Sequence, residues 1–429
     1  MKGLAYLRNK LAVKRSRVLT RYKYYEMKNG TLNLGRLIPA EQSAQYNSIL
    51  GWCPKSVDSL ADRLQFNGFK DDNFDIEEIF EMNNPDVFFD SAILSALISS
   101  CCFVYISKDE TGYPRLQVID GANATGIIDP ITGLLTEGYA VLSRDPDTDV
   151  VTVDAYFEPG KTTVYDTVNR SVTQYANNIT VPALVPIIYR PDAKRPFGHS
   201  RISRACMNIQ DKARMVLSRA DITAEFYSWP QRYIIGLSDD AEFDAMKASM
   251  SSFLAMGDND GHNPTVGQFT QQNMEPHIDQ FKMYAAAFSG ETGLTMDDLG
   301  FATENPSSSD AIKAAHENLR LTARKAQRTF GSGFLNVGYV AACMRDNYPY
   351  QRKQIYLTTP EWRPLFEPDA SQMTGIGDAA IKINQAVPGY FDKDNLEQLT
   401  GIEGGDSTDT AEQTAGTVDE TTQDPVGVE

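Results

Sequence analysis

Apolar side chains recur at helical spacing from the start of the chain. Leu4, Leu7, Leu11, Val18, Tyr22 and Tyr25 predict a helix over 4–25, with Gly30 and Pro39 as breaks. Further helices are predicted at 56–66, stopped by Asn67-Gly68, and at 74–82 and 86–100. The last is apolar almost all round and is expected to be buried. From Cys102 to Arg190 short β-branched and aromatic runs replace the helical period, at 103–107, 116–120, 139–143, 150–157, 163–165, 172–175 and 185–189. Turn clusters at Asp129-Pro130, Asp145-Pro146-Asp147 and Pro159-Gly160 separate them, which predicts a meandering antiparallel sheet or small barrel. Asp145, Asp147 and Asp149 imitate the start of a calcium loop but lack its glycine and distal glutamate, so they read as a hairpin turn.

The longest stripe follows: Ile202, Ala205, Cys206, Ile209, Ala213, Val216, Leu217, Ala220, Ala224 and Tyr227. It predicts about seven helical turns, roughly 40 Å, ended by Trp229-Pro230. The opposite face carries Arg201, Arg204, Lys212, Arg214 and Arg219. Residues 231–270 read strand (232–237), helix (240–253), loop (257–263), strand (265–269), a small α/β insert. A second helix is predicted at 276–289 and a loop at 290–306. A third helix starts at the capping signal Ser307-Ser308-Ser309-Asp310. It ends near 330, or passes Gly331-Ser332-Gly333 with a kink to 344. A strand at 355–357 and helices at 370–386 and 392–400 complete the pattern. If the helices flanking the insert pack antiparallel, the insert sits at one end of the pair, and the loop and third helix at the other.

Composition narrows the class. At 429 residues, 41% hydrophobic and 23% charged, the chain is an ordinary globular α+β protein of two to four units. No run of about 18 apolar residues could span a bilayer, and Met1-Lys2-Gly3 opens no signal peptide. Five cysteines (Cys53, Cys101, Cys102, Cys206, Cys343) at irregular spacing read as reduced thiols of a cytoplasm, with Cys101-Cys102 an inert core pair. The net charge of −17 argues against a protein that grips DNA. The charge is polarised, however. Residues 1–28 hold nine Lys/Arg and one Glu, whereas 401–429 hold eight Asp/Glu and no Lys or Arg. Such poles read as an arm and a tail, and the tail, poor in large apolar residues, is expected to be disordered. No phosphate loop, dinucleotide fingerprint, zinc motif or nucleophile elbow is present, and His199, His262, His277 and His316 are scattered. Neither catalytic nor metal-ligating residues, nor a cofactor, are expected.

Three segments resemble the portal proteins of tailed double-stranded-DNA bacteriophages. They are Phe197-Gly-His-Ser-Arg-Ile-Ser-Arg204, Glu225-Phe-Tyr-Ser-Trp-Pro-Gln-Arg-Tyr-Ile-Ile-Gly236, and residues 291–319, which run from Glu291-Thr-Gly-Leu-Thr to His316-Glu-Asn-Leu319. Tyr24-Tyr25, Leu34-Gly35 and Ile38-Pro39 are similar to the family's start, except that Met27 stands where the family usually has glycine after Tyr-Tyr-x. The resemblance covers roughly 15–400 and leaves out the basic arm and the acidic tail.

The resemblance implies a homo-oligomeric ring, usually of about twelve subunits, at one capsid vertex of the virion, assembled in the host cytoplasm. Double-stranded DNA would pass through it during packaging and ejection. The major capsid protein, the large terminase subunit and a head–tail adaptor would be its partners, with no membrane. The family's parts map as a wing at 1–200 and 331–369, stem helices at 201–228 and 277–289, and a clip at 229–276. A tunnel loop at 290–306, a tunnel helix at 307–330, a crown at 370–403 and a tail at 404–429 follow. The expected DNA-facing residues are Asn305, Ser307, Ser308, Ser309, Lys313 and Arg320, with Arg324, Lys325 and Arg328 as further cations. The expected subunit-contact residues are Ile202, Ile209, Val216 and Tyr227. A helix of about 40 Å passes about 24 phosphates at one per 1.7 Å, so a strongly cationic wall would act as a brake. An acidic chain avoids that. The competing classes are a nuclease or motor enzyme, whose motifs are missing, and a capsid adaptor or scaffold without a channel.

Overall fold

Helix α1 (Leu4–Tyr25) forms over the predicted residues in the computed structural model, which describes residues 2–34, 44–228, 232–235, 265–268, 273–301, 314–355, 357–365 and 370–402. The described elements continue with α2 (Trp52–Ala61), β1 (Phe66–Lys70), α3 (Ile76–Glu81), α4 (Pro85–Ser99), β2 (Cys101–Lys108), β3 (Pro114–Ile119), β4 (Ala124–Ile128) and β5 (Leu135–Arg144). Next come β6 (Val151–Glu158), β7 (Lys161–Asp166), β8 (Ser171–Ala176), β9 (Leu184–Ile188), α5 (Arg204–Ser228), β10 (Arg232–Ile235) and β11 (Thr265–Gln268). The last are α6 (Glu275–Thr292), α7 (Glu317–Arg345), β12 (Thr359–Trp362), α8 (Ala370–Ala386) and α9 (Lys393–Thr400). The class is α+β, as expected.

The β-rich stretch is two antiparallel sheets rather than a barrel. Strands β4 to β8 form a five-stranded meander, and β3-β2-β9 a three-stranded sheet. Strand β4 escaped the sequence pattern because Gly126 interrupts its apolar run. That glycine is needed: a Cβ there would sit 2.7 Å from the Glu137 carbonyl. The Asp145 turn is a hairpin connection, with its carboxylate accepting from the N–H groups of Asp147 and Thr148 at 2.9 and 3.0 Å.

The basic first helix is not a free arm. Leu7 and Leu11 pack on Tyr139, Val141 and Tyr156 of the five-stranded sheet. Its cations then find local acids. Arg8 donates to Asp154 (2.6 Å) and Arg15 to Asp149 (2.6 Å), while Glu137 accepts from the backbone N–H groups of Lys2 and Gly3. At its far end Lys28 N–H reaches Lys23 O (2.9 Å) and Met27 N–H reaches Tyr24 O (3.4 Å). These are the paired bonds of a Schellman cap. Met27 takes φ 57°, the left-handed conformation that a glycine adopts without strain.

The largest core joins distant segments. Strand β1 pairs antiparallel with β12. Phe66 lies 4.4 Å from Phe89, 5.1 Å from Phe334 and 5.0 Å from Trp362, ring centre to ring centre. Neither β1 nor β12 was predicted. The helix expected at 56–66 ends at Ala61, and the strand expected at 355–357 gives way to a 3₁₀ turn, Arg352–Ile355, with β12 following. Helix α7 runs unbroken through Gly331-Ser332-Gly333. Its glycines serve close packing instead of a break: a Cβ on Gly331 would meet Pro360 at 2.9 Å, and one on Gly338 would meet Ile76 at 2.2 Å.

Helices α5 and α6 are antiparallel neighbours. Ser203, just before α5, donates to Glu291 at the end of α6 (2.9 Å), and Thr223 near the end of α5 lies 3.3 Å from His277 at the start of α6. Ser203 also caps α5 by accepting from Cys206 N–H at 3.1 Å. The β10–β11 pair therefore sits at one end of the helix pair, and residues 293–301 at the other. The predicted helix at 240–253 and loop at 257–263 lie outside the described residues, as does 403–429.

Candidate nucleic-acid interface

Helix α7 is amphipathic over its first four turns. Leu319, Ala323, Ala326 and Phe330 are buried. Leu321, Arg324, Lys325, Arg328 and Ser332 stand exposed at steps of three and four, on one face. Among the described residues, Arg324, Lys325 and Arg328 make no ion pair. Arg320 differs. Its guanidinium grips Glu317 of the same helix with two 2.7 Å bonds, and this hydrogen bonding pulls the Glu317 carboxyl below its ordinary value. The cation expected to face DNA is thus engaged inside its own chain. Arg320 and Arg324 line a cleft of about 700 Å³ with Lys70, Glu361, Arg363 and Leu399. Asn305, Ser307, Ser308, Ser309 and Lys313 lie outside the described residues.

The stretch before α7, expected as a loop from 290, is folded as far as Phe301. Gly290 and Thr292 belong to α6. Thr292 is 3% exposed and donates to Phe288 O (2.8 Å). Thr295 binds the Asp298 carboxylate through both its N–H (2.8 Å) and its hydroxyl (2.9 Å). Leu294 is buried and Phe301 lies 5.6 Å from Phe281. The hydroxyls of Thr292 and Thr295 are therefore occupied inside the chain, and Glu291 is held by Ser203. Gly293 (φ 73°) and Gly300 (φ 90°) close α6 and a 3₁₀ turn in the left-handed region.

The α5–α6 pair redistributes the expected contact residues. Ile202 is fully buried and Val216 is 3% exposed, Ile209 is half-buried, and Tyr227 falls in helix α5 with its side chain outside the description. Ile202 and Val216 have no surface left to offer another subunit, whereas Ala205 of the same stripe is exposed and Ile209, Leu217, Ala220 and Ala224 are half-buried. Free apolar surface also lies on α6: Met283, 56% exposed, shares one face with the exposed Ala286 and Ala287, while Ile278, 51% exposed, lies about 140° round the helix. The supposed polar face of α5 is also partly interior. Arg214, 2% exposed, donates to Ser48 O (2.9 Å) and Gly30 O (3.2 Å), and to Asn47 (3.1 Å). Arg201 donates to Ser56 O and Thr292 O, tying α2 to the end of α6. A pattern of periods cannot separate such arginines from solvated ones. The spare carbonyls that need them belong to loops far away in sequence.

The profile of the family described as phage portal protein, SPP1 Gp6-like, matches residues 4–380. The chain belongs to that portal family. The portal protein of Mycobacterium phage L5 is 24% identical over 386 residues, spanning 84% of this chain and 77% of that one. The portal protein of Mycobacterium phage D29 is 23% identical over 383 residues with the same shares. Among solved structures, a chain of the virion of a native gene transfer agent particle covers 82% of this chain and 89% of its own, at 12% identity and TM-score 0.46. A chain from the neck of the empty particle covers 85% and 93%, at 12% identity and TM-score 0.45.

Portal membership reaches back to residue 4, so α1 is part of the family's body and not an appendage to it. One departure from the resemblance and one of its motifs have a structural cause. Met27, where the resemblance led to the expectation of glycine, holds a left-handed turn. In Phe197-Gly-His-Ser-Arg, Gly198 takes φ 72° and a Cβ there would fall 2.0 Å from Tyr189 O, so no other residue fits. All five cysteines are buried and free, and burial pushes the Cys101 thiol up to about 11 and that of Cys102 well above its ordinary value. Neither offers a thiolate nucleophile at neutral pH.

Proposed function

We propose that copies of this chain close into a ring of about twelve at one vertex of a capsid, and that the exposed face of α7 lines the channel through which double-stranded DNA enters and leaves. The observation that supports this is the asymmetry of α7: its apolar arc is sealed in the core while Arg324, Lys325 and Arg328 stand exposed without acidic partners among the described residues. In an acidic ring, a few cations per subunit give contact without a brake. In this reading α5 and α6 are the stem, with the α6 face of Met283, Ala286 and Ala287 as the subunit contact, and the insert between them is the clip that docks terminase and adaptor. The β-rich body is the wing, α8 and α9 the crown, and the location the virion, beside the major capsid protein. Asn305 and Ser307–Ser309 extend the DNA-facing surface toward the narrowest point. No catalytic step is assigned. The alternative, an adaptor or scaffold without a channel, lacks a use for a helix with a cation face.

The test is packaged DNA length per particle at two ionic strengths. Ser308→Lys with Ser309→Lys is expected to shorten the packaged DNA, less so at high salt, while the alanine pair matches the parent. Equal packaging by both pairs at low salt, with rings intact, contradicts the channel reading.

A further inference from the structure

Helix α1 carries two kinds of cation. Arg8 and Arg15 are matched by Asp154 and Asp149 of the sheet. Lys10, Lys14, Arg17 and Arg21 follow at steps of four, three and four, a second row along the helix. This row faces the segment around Phe197. The Lys10 and Lys14 ammonium groups lie 4.9 and 4.5 Å from the centre of the same Phe197 ring. Lys10 donates to Gly126 O, and Arg21 to Ser99 O at 3.0 Å. Arg17 is exposed and has no partner among the described residues. Burial holds the Arg21 guanidinium below its ordinary value; the Cys101 thiol pulls the other way, and the like charges of Arg195, Arg17 and Arg204 add to the lowering. Lys10 is held down to about 8, first by burial and then by Lys14 and Lys2. Asp192, Asp211 and Asp120 are engaged elsewhere: Asp192 on His199 (2.6 Å), Asp211 on Tyr24 (2.5 Å), and Asp120 on the N–H of Ala122 and on Asn123 (2.8 Å).

We infer that the row Lys10, Lys14, Arg17 and Arg21, with Arg195 and Arg204 beside it, is a second nucleic-acid surface that takes the phosphate backbone of duplex DNA outside the channel. Four like charges brought together, with no carboxylate paired to them among the described residues, favour an anion from elsewhere. The row is roughly 16 Å long at 1.5 Å per residue, enough for about five phosphates of one strand at 3.4 Å each. That length fits a linear polyanion better than a single ion. A protein partner is less suited, because such interfaces centre on apolar and aromatic groups and exclude charge from their core. Here the centre is cationic, with Tyr6 and Val13 at its flank. The acid excess of the chain does not cancel the row, since at about 0.1 M salt charges beyond roughly 10 Å are screened.

The experiment measures binding of the full chain to a duplex of about 30 base pairs across a salt series. Lys14→Gln/Arg17→Gln is compared with Arg324→Gln/Arg328→Gln and with all four exchanges together. Each lost phosphate contact lowers the slope of log affinity against log salt by about one. The α1 pair is therefore expected to lower it by about two, whether or not the α7 pair has an effect, and thermal melting should match the parent. An unchanged slope for the α1 pair, or no duplex binding by the parent at low salt, overturns the inference. So does binding of a peptide with the sequence of 403–429 that needs Lys14 and Arg17 while duplex binding does not. The α7 arm reads the channel proposal separately, so either can fail alone.

Discussion

The two halves of helix α7 are one continuous helix with opposite surroundings. From Phe330 to Met344 nearly every side chain is buried, Ser332 being the exposed exception, and glycines let Ile76 and Pro360 approach its backbone. From Glu317 to Thr329 only one arc is buried and the other is basic. The buried half decides where the helix sits, and the exposed half presents what that position offers. A rigid anchor and an exposed cation face on the same rod place charges at a fixed height and direction, which flexible lysines on a loop could not do.

The largest expected effect is in the buried half. Phe334→Ala removes a ring that meets Phe66, Phe88, Phe89 and Trp362, and unfolding in urea should show a loss of about 3–5 kcal/mol. Next is Gly338→Ala. Its Cβ would overlap Ile76, and with neighbours on all sides the expected loss is about 1–3 kcal/mol. A loss below about 0.5 kcal/mol in both would mean that this half is not the anchor.

A backbone exchange outside α7 sharpens the scale. Met27→Gly relieves a left-handed residue and should stabilise the chain by up to about 1 kcal/mol. Destabilisation there would show that the Met27 side chain, which approaches Gly51, outweighs the strain. Smallest in stability is Arg324→Gln/Arg328→Gln, expected within about 0.5 kcal/mol of the parent. Its effect belongs to DNA instead, as a shallower salt dependence. A stability loss as large as that of Gly338→Ala would erase the contrast between the halves.

Periodicity made most helices and the meander legible, because α1, α4, α5, β5 to β7 and β9 bury one face or run of their own side chains. It failed where a partner far along the chain decides the outcome. Strands β1 and β12 exist because 66–70 meets 359–362. Gly331 and Gly333 look like breakers until Pro360 and Ile187 are placed against them. The candidate site was legible in its helix and in its motif at 291–319, not in its partners. Arg320 turned out to be bound to Glu317, and Ile202 and Val216 turned inward, with open apolar surface on α6 as well. No spacing rule separates a buried arginine such as Arg214 from a solvated one, since its acceptors are backbone carbonyls of residues 30 and 48.

The central claim is that α7 presents its cation face to a channel at the centre of a ring. Electron microscopy of the purified full-length chain, with native mass determination of the same sample, tests it most directly. The expected result is a closed ring of about twelve copies with Arg324, Lys325 and Arg328 on its inner wall and the α6 face of Met283, Ala286 and Ala287 between subunits. A monodisperse 47.6 kDa monomer at micromolar concentration, or a ring with those three cations on its outer surface, would contradict it.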